Sequence, residues 1–192
     1  MANYFRNIPN VQYDINGTEP KQYRAVTNIM KRVRFRPTVV ENISDYYPYY
    51  IRDGERPDTI SFQKYGTVAY SYLILLINDI IDPIFGWPLN SRQFENYIIA
   101  KYGSTSSAYT TNKYYYQTIR AEVVRTGTSE RVPEVKLIVD ETTYDALDEG
   151  ERSVQTVYEW EEEENDNKRN IKMINPNFIQ DIDAEVKQIL SS

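Results

Sequence analysis

The chain has 192 residues, of which 41% are hydrophobic, and its net charge is -6. It contains neither cysteine nor histidine, which excludes disulfides, cysteine nucleophiles, histidine-based catalytic couples and histidine-ligated metal sites. The acidic balance argues against nucleic acid as a partner. The sequence also has neither a membrane span of ~20 apolar residues nor a recognisable signal peptide, and we therefore expect the protein in a cytoplasm.

Residues 1–45 are predicted to form an extended N-terminal arm, because turn-forming residues are scattered through them and helical periodicity is weak. Short β-like runs occur at Val26–Ile29 and Arg32–Phe35. Residues 1–39 contain seven basic and two acidic residues, a net charge of +5. This charge is typical either of a solvated surface or of a surface that meets a neighbouring subunit.

The segment 46–103 is predicted to be the compact core with a following helix. Tyr46–Arg52 predicts a strand, and its proline indicates an edge position. Asp58 is predicted to cap a short helix from Thr59 to Tyr65, which ends at Gly66 because glycine adopts the left-handed conformation easily.

Two further helices are predicted in the same segment. Tyr70–Ile77 is apolar enough for a largely buried helix, and turns are predicted at Asp82-Pro83 and at residues 85–88, around a short extended piece. Asn90 is predicted to cap the third helix, with Gln93 as its reciprocal capping partner, and Gly103 to end it.

Residues 104–160 are predicted to be a β-rich segment that begins with a polar linker over 104–112. Strands are predicted at Tyr114–Val124 and Val135–Val139, which are rich in β-branched and aromatic residues. Ser153–Trp160 predicts a further strand, since alternate residues would line one face.

Residues 161–192 are predicted to be an acidic hinge and a C-terminal amphipathic helix. Glu161–Glu164 is typical of a solvated hinge or a helix start, and residues 140–166 carry a net charge of -11. The pair Asn175-Pro176 is predicted to open the helix. One stripe of apolar residues is predicted either to bind a partner subunit or to pack on the chain's own domain. The stripe consists of Phe178, Ile182, Val186 and Ile189.

Part of the core resembles a LysM module. The resemblance lies in residues 56–61, in Tyr65-Gly66 and in the run from Leu73 to Asn78. It implies a small core in the order strand, helix, helix, strand, and hence an α+β protein.

The longer run over residues 49–87 resembles the small, gene-53-type baseplate wedge proteins of T-even-like contractile-tailed phages. The shared features include Asp82-Pro83 and Gly86-Trp87 in this run and Lys168-Arg169 near the end of the chain. This resemblance implies a structural protein of the virion, assembled in the host cytoplasm and present in six copies, that joins neighbouring wedges. Its expected partners are other wedge proteins and hub proteins.

The residues singled out in the core are predicted to be structural, and no catalytic, cofactor-binding or metal-binding residue is predicted. They are Asp58, Tyr65, Gly66, Asn78, Asp82, Gly86 and Trp87. The 18 tyrosines suit either protein interfaces or the core.

Two alternative functions remain open from the sequence. A LysM-type module of a phage or bacterial protein can bind peptidoglycan, and paired carboxylates can hydrolyse glycosidic bonds. We favour an assembly protein without enzymatic activity, since the sequence contains a single LysM-like copy and no catalytic motif.

Overall fold

The computed structural model describes residues 7–17, 19–28, 30–31, 34–35, 46–124 and 131–191. The elements, in chain order, are β1 Asn10–Asp14, β2 Tyr23–Thr27, β3 Tyr46–Tyr50, α1 Pro57–Tyr65, a 3-10 turn Val68–Tyr70, α2 Ser71–Ile77, α3 Ser91–Tyr102, α4 Thr105–Thr110, β4 Asn112–Arg120, β5 Val123–Val124, β6 Arg131–Val132, β7 Val135–Val139, α5 Glu141–Asp145, β8 Arg152–Thr156, α6 Val157–Asn167, β9 Asn170–Ile174 and α7 Ile179–Ser191. This mixture of helices and small sheets confirms the predicted α+β class.

The chain divides into two compact units. The first comprises Met1–Pro88 together with Lys168–Ser192, and the second comprises Leu89–Asn167. These limits differ from the segment boundaries predicted after residues 45, 103 and 160. The difference arises because β9, near the end of the chain, pairs with β3 and so belongs to the first unit.

The first unit is built around the antiparallel pair β3–β9, in which Tyr46 lies opposite Ile174 and Tyr50 lies opposite Asn170. Along the chain its elements follow the order β3, α1, α2 and β9, with the second unit between α2 and β9. Two apolar clusters form its core. One contains Ile8, Tyr46, Leu73, Ile77, Ile174, Ile179, Val186 and Leu190, and the other contains Ile51, Ile60, Ile74, Trp87, Ile171 and Met173.

The predicted N-terminal arm contains a β-hairpin among its described residues. Strands β1 and β2 pair antiparallel, so part of the predicted run Val26–Ile29 is a strand, whereas Ile29 lies outside the described residues. In the second predicted run, Arg34 and Phe35 are not in a strand, and the first two residues lie outside the described part. Phe35 packs against the core cluster that contains Ile8.

The second unit combines a three-stranded antiparallel sheet, in the order β7-β4-β8, with helices α3 to α6. Its buried cluster consists of Phe94, Ile98, Ala108 and Val157. The side-chain amide of Asn165 donates to the carbonyl of Leu89 at 3.1 Å and its oxygen accepts from the Leu89 N–H at 2.8 Å. These bonds join the two ends of the unit.

The local signals for α3 are confirmed. The side chain of Asn90 accepts from the Gln93 N–H at 2.9 Å, and the Gln93 side chain accepts from the Asn90 N–H at 3.3 Å. Gly103 follows the last residue of the helix, as predicted. Gly66 likewise ends α1 with φ 72°, and its N–H donates to the carbonyl of Phe62.

Two predictions of helix limits were wrong. Pro57, which lacks an N–H and suits the first helical position, begins α1, so Arg56 is the cap residue and Asp58 lies in the first turn. At the other end of the chain, α7 begins at Ile179 instead of Pro176. The Asn175 side chain accepts from the Asn177 N–H at 3.1 Å and so closes a turn before the helix.

The predicted polar linker over 104–112 is instead helical in its middle. Helix α4 is capped by the hydroxyl of Ser104, which accepts from the Ser107 N–H at 3.0 Å. Ala108 is fully buried, and this packing explains why a polar stretch becomes ordered.

The predicted strand Ser153–Trp160 ends at Thr156, and α6 begins at Val157. Thr156 and Glu159 form reciprocal capping bonds: the Glu159 carboxylate accepts from the Thr156 N–H at 2.8 Å, and the Thr156 hydroxyl accepts from the Glu159 N–H at 3.2 Å. Glu161–Glu164 consequently lies inside a helix and is not a hinge.

Candidate functional site

A tight turn over Ile80–Trp87 follows α2 in the first unit. A side-chain oxygen of Asp82 accepts from the N–H groups of Ile84 and Phe85 at 2.8 and 3.4 Å. The N–H of Gly86 donates to the carbonyl of Asp82 at 2.7 Å. The predicted structural residues Asp82 and Gly86 therefore define the path of this turn.

Two further contacts restrict the backbone of the turn. A Cβ added at Gly86 would lie 2.7 Å from the Asp82 carbonyl oxygen and 2.8 Å from Cγ2 of Ile80, so glycine is required for this close approach. The ammonium group of Lys168, which precedes β9, donates to the carbonyl of Phe85 at 3.1 Å.

The tip of the turn is apolar although it faces solvent. Ile81, Ile84 and Phe85 are 66%, 70% and 68% exposed. Single exposed apolar residues are common on proteins, but a group of three within one short turn marks a candidate interaction surface.

Trp87 anchors the end of the turn in the core. It is 7% exposed and packs with Ile51, Ile60 and Met173 in one apolar cluster. Its indole N–H donates to the carbonyl of Glu55 at 2.8 Å, so the buried nitrogen has a partner.

Two other predicted structural residues connect the helices to β9. The Asn78 side chain donates to the Lys172 carbonyl at 2.9 Å and accepts from the Lys172 N–H at 2.8 Å, as a neighbouring strand would. The hydroxyl of Tyr65 donates to the carbonyl of Ile174 at 2.8 Å, and burial raises the pKa of this hydroxyl.

Asp58 makes a local contact in α1. Its carboxylate lies 3.3 Å from the guanidinium of Arg56, and both side chains are substantially exposed. In this first turn it also meets the positive end of the helix dipole.

The predicted partner-binding stripe on α7 is divided between core and surface. Val186 is buried, and Ile182 packs against the same cluster, so both serve the chain's own core. Phe178 and Ile189 are exposed, and their role in partner binding stays a prediction. The buried side of α7 is completed by Ile179 and Leu190, which the predicted stripe did not include.

A buried carboxylate fixes the orientation of α7. Asp183 accepts a short hydrogen bond from the hydroxyl of Tyr72 in α2, and it lies 2.5 Å from the ammonium group of Lys187 one turn later. Helix α7 therefore has polar as well as apolar contacts with its own unit.

The second unit contains a buried carboxylate surrounded by donors. Glu161 accepts from Lys101 at 2.7 Å and from the hydroxyls of Tyr102 and Tyr97 at 2.6 and 3.1 Å. Burial opposes ionisation of Glu161, but the bonds from Lys101 and Tyr102 outweigh it and lower the pKa of the carboxyl. The bond to Glu161 also raises the pKa of Lys101.

The same lysine lies among aromatic rings. Its ammonium is 5.2 Å from the ring centre of Tyr97, 5.4 Å from that of Tyr102 and 6.0 Å from that of Trp160. Since the chain's own ammonium group occupies this cluster, the cluster is structural.

Within the described ranges, no group of three histidine, cysteine or acidic side chains is arranged to hold a metal ion. No helix in the same ranges is long and apolar enough to cross a bilayer.

The family model for base plate wedge protein 53 matches residues 5–190 of the chain. The chain belongs to this family. A comparison with curated proteins found no match.

The match to the base plate wedge protein 53 family extends over almost the whole chain, including both compact units. The protein is therefore a structural component of a phage baseplate wedge, located in the tail of the virion, and its partners are other baseplate proteins. The match gives no support to the peptidoglycan-binding alternative.

The apolar tip of the turn and the Glu161 cluster were not predicted from the sequence. A signal for the tip was present, because four large apolar residues, two on each side, flank Asp82-Pro83 where a turn is normally polar. Tyr97 and Lys101 stand at helical spacing, but nothing local indicates that Glu161 is their partner.

Proposed function

We propose that this wedge protein joins neighbouring wedge subunits during assembly of the tail baseplate in the host cytoplasm. In this role it is a scaffold without a catalytic step. Six copies, contacting other wedge proteins and hub proteins, would match the six-fold arrangement that the family resemblance implies.

The observation that carries this proposal is that each of the two compact units exposes apolar residues of its own. The first unit exposes the tip formed by Ile81, Ile84 and Phe85. The second exposes Ile119 of β4 and Leu137 and Ile138 of β7. A protein that joins two neighbours needs at least two binding surfaces, and two compact units can supply them.

The order β3, α1, α2 and β9 supports a LysM-like core in the first unit. We infer that this core is used as a scaffold. Three of its side chains form hydrogen bonds within the first unit, which is consistent with a structural role: those of Asn78, Tyr65 and Trp87.

Phe178, which immediately precedes α7, and Ile189 are the exposed residues of the predicted stripe. Both are exposed, whereas their neighbours Ile179 and Leu190 are buried. We include these two residues in the proposed joining surface of the first unit.

The proposal can be tested with wedges purified from cells infected by a phage that lacks this chain. Purified chain is added, and assembly is followed by sedimentation and electron microscopy. We expect closed, six-fold baseplate particles only when the chain is present, and mass measurement of those particles should give six copies.

Wedges that close into the same particles without the chain would contradict the joining role. A chain that binds single wedges but leaves them separate would restrict the protein to a component of one wedge.

A further inference from the structure

The strongest unassigned feature is the apolar tip of the Ile80–Trp87 turn. Phe85 offers an aromatic side chain, Ile84 directly precedes it, and Ile81 lies four residues earlier in the same turn. Aromatic side chains flanked by aliphatic ones are common anchors at the centre of protein interfaces.

The tip has a defined shape before any partner binds. Hydrogen bonds made by the Asp82 carboxylate, the Gly86 N–H and the Lys168 ammonium restrain the backbone of the turn. The following residue, Trp87, is buried. A preorganised turn loses little backbone entropy on docking, so more of the benefit of burying its side chains is available for affinity.

Charges around the tip are already paired within the chain. The carboxylate of Asp79 lies 2.5 Å from the guanidinium of Arg34, and that of Asp82 accepts two backbone N–H groups. Lys168 donates to the Phe85 carbonyl. These charged groups are exposed but already bonded within the chain, so the side chains of the tip that have no such bonds are the three apolar ones, which match an apolar cleft better than lipid headgroups or phosphates.

The size of the tip limits which kind of partner it can bind stably. A stable complex of two free proteins buries about 800 Å² on each partner, far more than three side chains supply. A second copy of the chain held through this tip alone would dissociate. The tip suits an assembly in which several contacts act together.

We propose that the tip formed by Ile81, Ile84 and Phe85 inserts into an apolar cleft of a neighbouring protein subunit of the baseplate. The inference rests on the proposed joining function and names the part of the first unit that makes the contact. In this arrangement Phe85 fills the cleft, and the two isoleucines exclude water around it.

The test compares Ile84→Ser/Phe85→Ser with Phe62→Ser, which replaces an equally exposed phenylalanine (62%) of α1. All three full-length proteins, wild type included, should melt at the same temperature because the replaced side chains are exposed. The probe is the wedge particle from cells infected by a phage lacking this chain. We expect wild type and Phe62→Ser to bind alike, and the double variant to bind ~10-fold more weakly or worse.

A photoreactive phenylalanine analogue at position 85 identifies the contact directly. We expect it to cross-link to one wedge protein at a site lined by apolar residues, and the same analogue at position 62 not to do so. Equal binding of the double variant, or an equal loss with Phe62→Ser, overturns the inference while leaving the joining function intact.

Three other results also decide against it. A concentration-dependent dimer of the free chain that the double variant abolishes would make a second copy the occupant. If the wild-type chain binds phosphatidylglycerol–phosphatidylethanolamine vesicles and the double variant does not, the partner of the tip would be a membrane. If wild-type chain does not bind wedge particles at all, the proposed function fails, and the inference fails with it.

Discussion

Trp87 combines two separate contributions to stability, a buried ring and a hydrogen bond. Trp87→Ala leaves a cavity and should lower the free energy of unfolding by about 3–5 kcal/mol. Trp87→Phe keeps most of the packing and removes the bond to the Glu55 carbonyl, which should cost about 1 kcal/mol from the lost bond. Chemical denaturation of both variants measures the free-energy contributions of the ring packing and of the hydrogen bond. Equal losses would show that the ring packing contributes little.

The buried carboxylate of Glu161 makes stability dependent on pH. Its pKa is lowered in the folded protein, so its contribution is present above the ordinary value of 4.5 and is lost as pH falls through the lower, folded pKa. Glu161→Gln should therefore destabilise the protein by about 1–3 kcal/mol at pH 7, since the bonds from Lys101 and two tyrosines lose their charged acceptor.

The matched control is Glu162→Gln, which neutralises the exposed next residue of the same helix. Thermal melts of both variants and wild type between pH 3 and pH 7 give the comparison. The difference in melting temperature between Glu161→Gln and wild type should decrease toward pH 3, whereas Glu162→Gln should melt like wild type at every pH. A difference in melting temperature that does not depend on pH would mean that altered packing, and not the lost charge, destabilises Glu161→Gln.

Substitutions of two neighbouring residues of α7 can distinguish the role of this helix in the core from its proposed role in binding a partner. Leu190 is 0% exposed, whereas Ile189 is 44% exposed. Leu190→Ala should lower the free energy of unfolding by about 2–5 kcal/mol, and Ile189→Ala should change it by no more than about 0.5 kcal/mol. Denaturant titration measures both, and similar losses in the two variants would contradict the observed face of the helix.

The helix boundaries that the sequence predicted correctly have local signals, although local signals misplaced the starts of α1 and α7. Asn90 and Gln93 lie three residues apart and contain the whole capping signal, and Gly66 by itself ends α1. The failures at α4 and α6 have a common cause. Buried contacts of Ala108 and Val157 order stretches that are polar or alternating in sequence.

The candidate surfaces could be predicted only in part. The apolar stripe of α7 was recognised, but residues at helical spacing define a stripe only to within one position, and the buried face includes Leu190 instead of Ile189. The pairing of β3 with β9 links residues more than a hundred positions apart, and no local pattern indicates it. The same applies to Lys101 and Glu161, which are joined only by the fold.

At the scale of the whole molecule, the second unit is an insertion between α2 and β9 of the first. Its two ends are tied by the double hydrogen bond between Asn165 and Leu89, and it has an apolar cluster of its own. An inserted unit with adjacent ends and its own core has the properties of an independently folding domain.

We therefore expect a fragment of residues 88–167, in which the Leu89 nitrogen is still a peptide amide, to fold by itself. Its buried cluster is small, so its stability should be low, roughly 3–5 kcal/mol. Circular dichroism should show one cooperative melting transition, and Asn165→Ala should lower its midpoint because two backbone groups of Leu89 lose their partner. Glu164→Ala replaces the exposed preceding residue of the same helix and serves as the control. A fragment without a cooperative transition would show that the second unit depends on the rest of the chain for its fold, and the two proposed joining surfaces would then belong to a single cooperative structure.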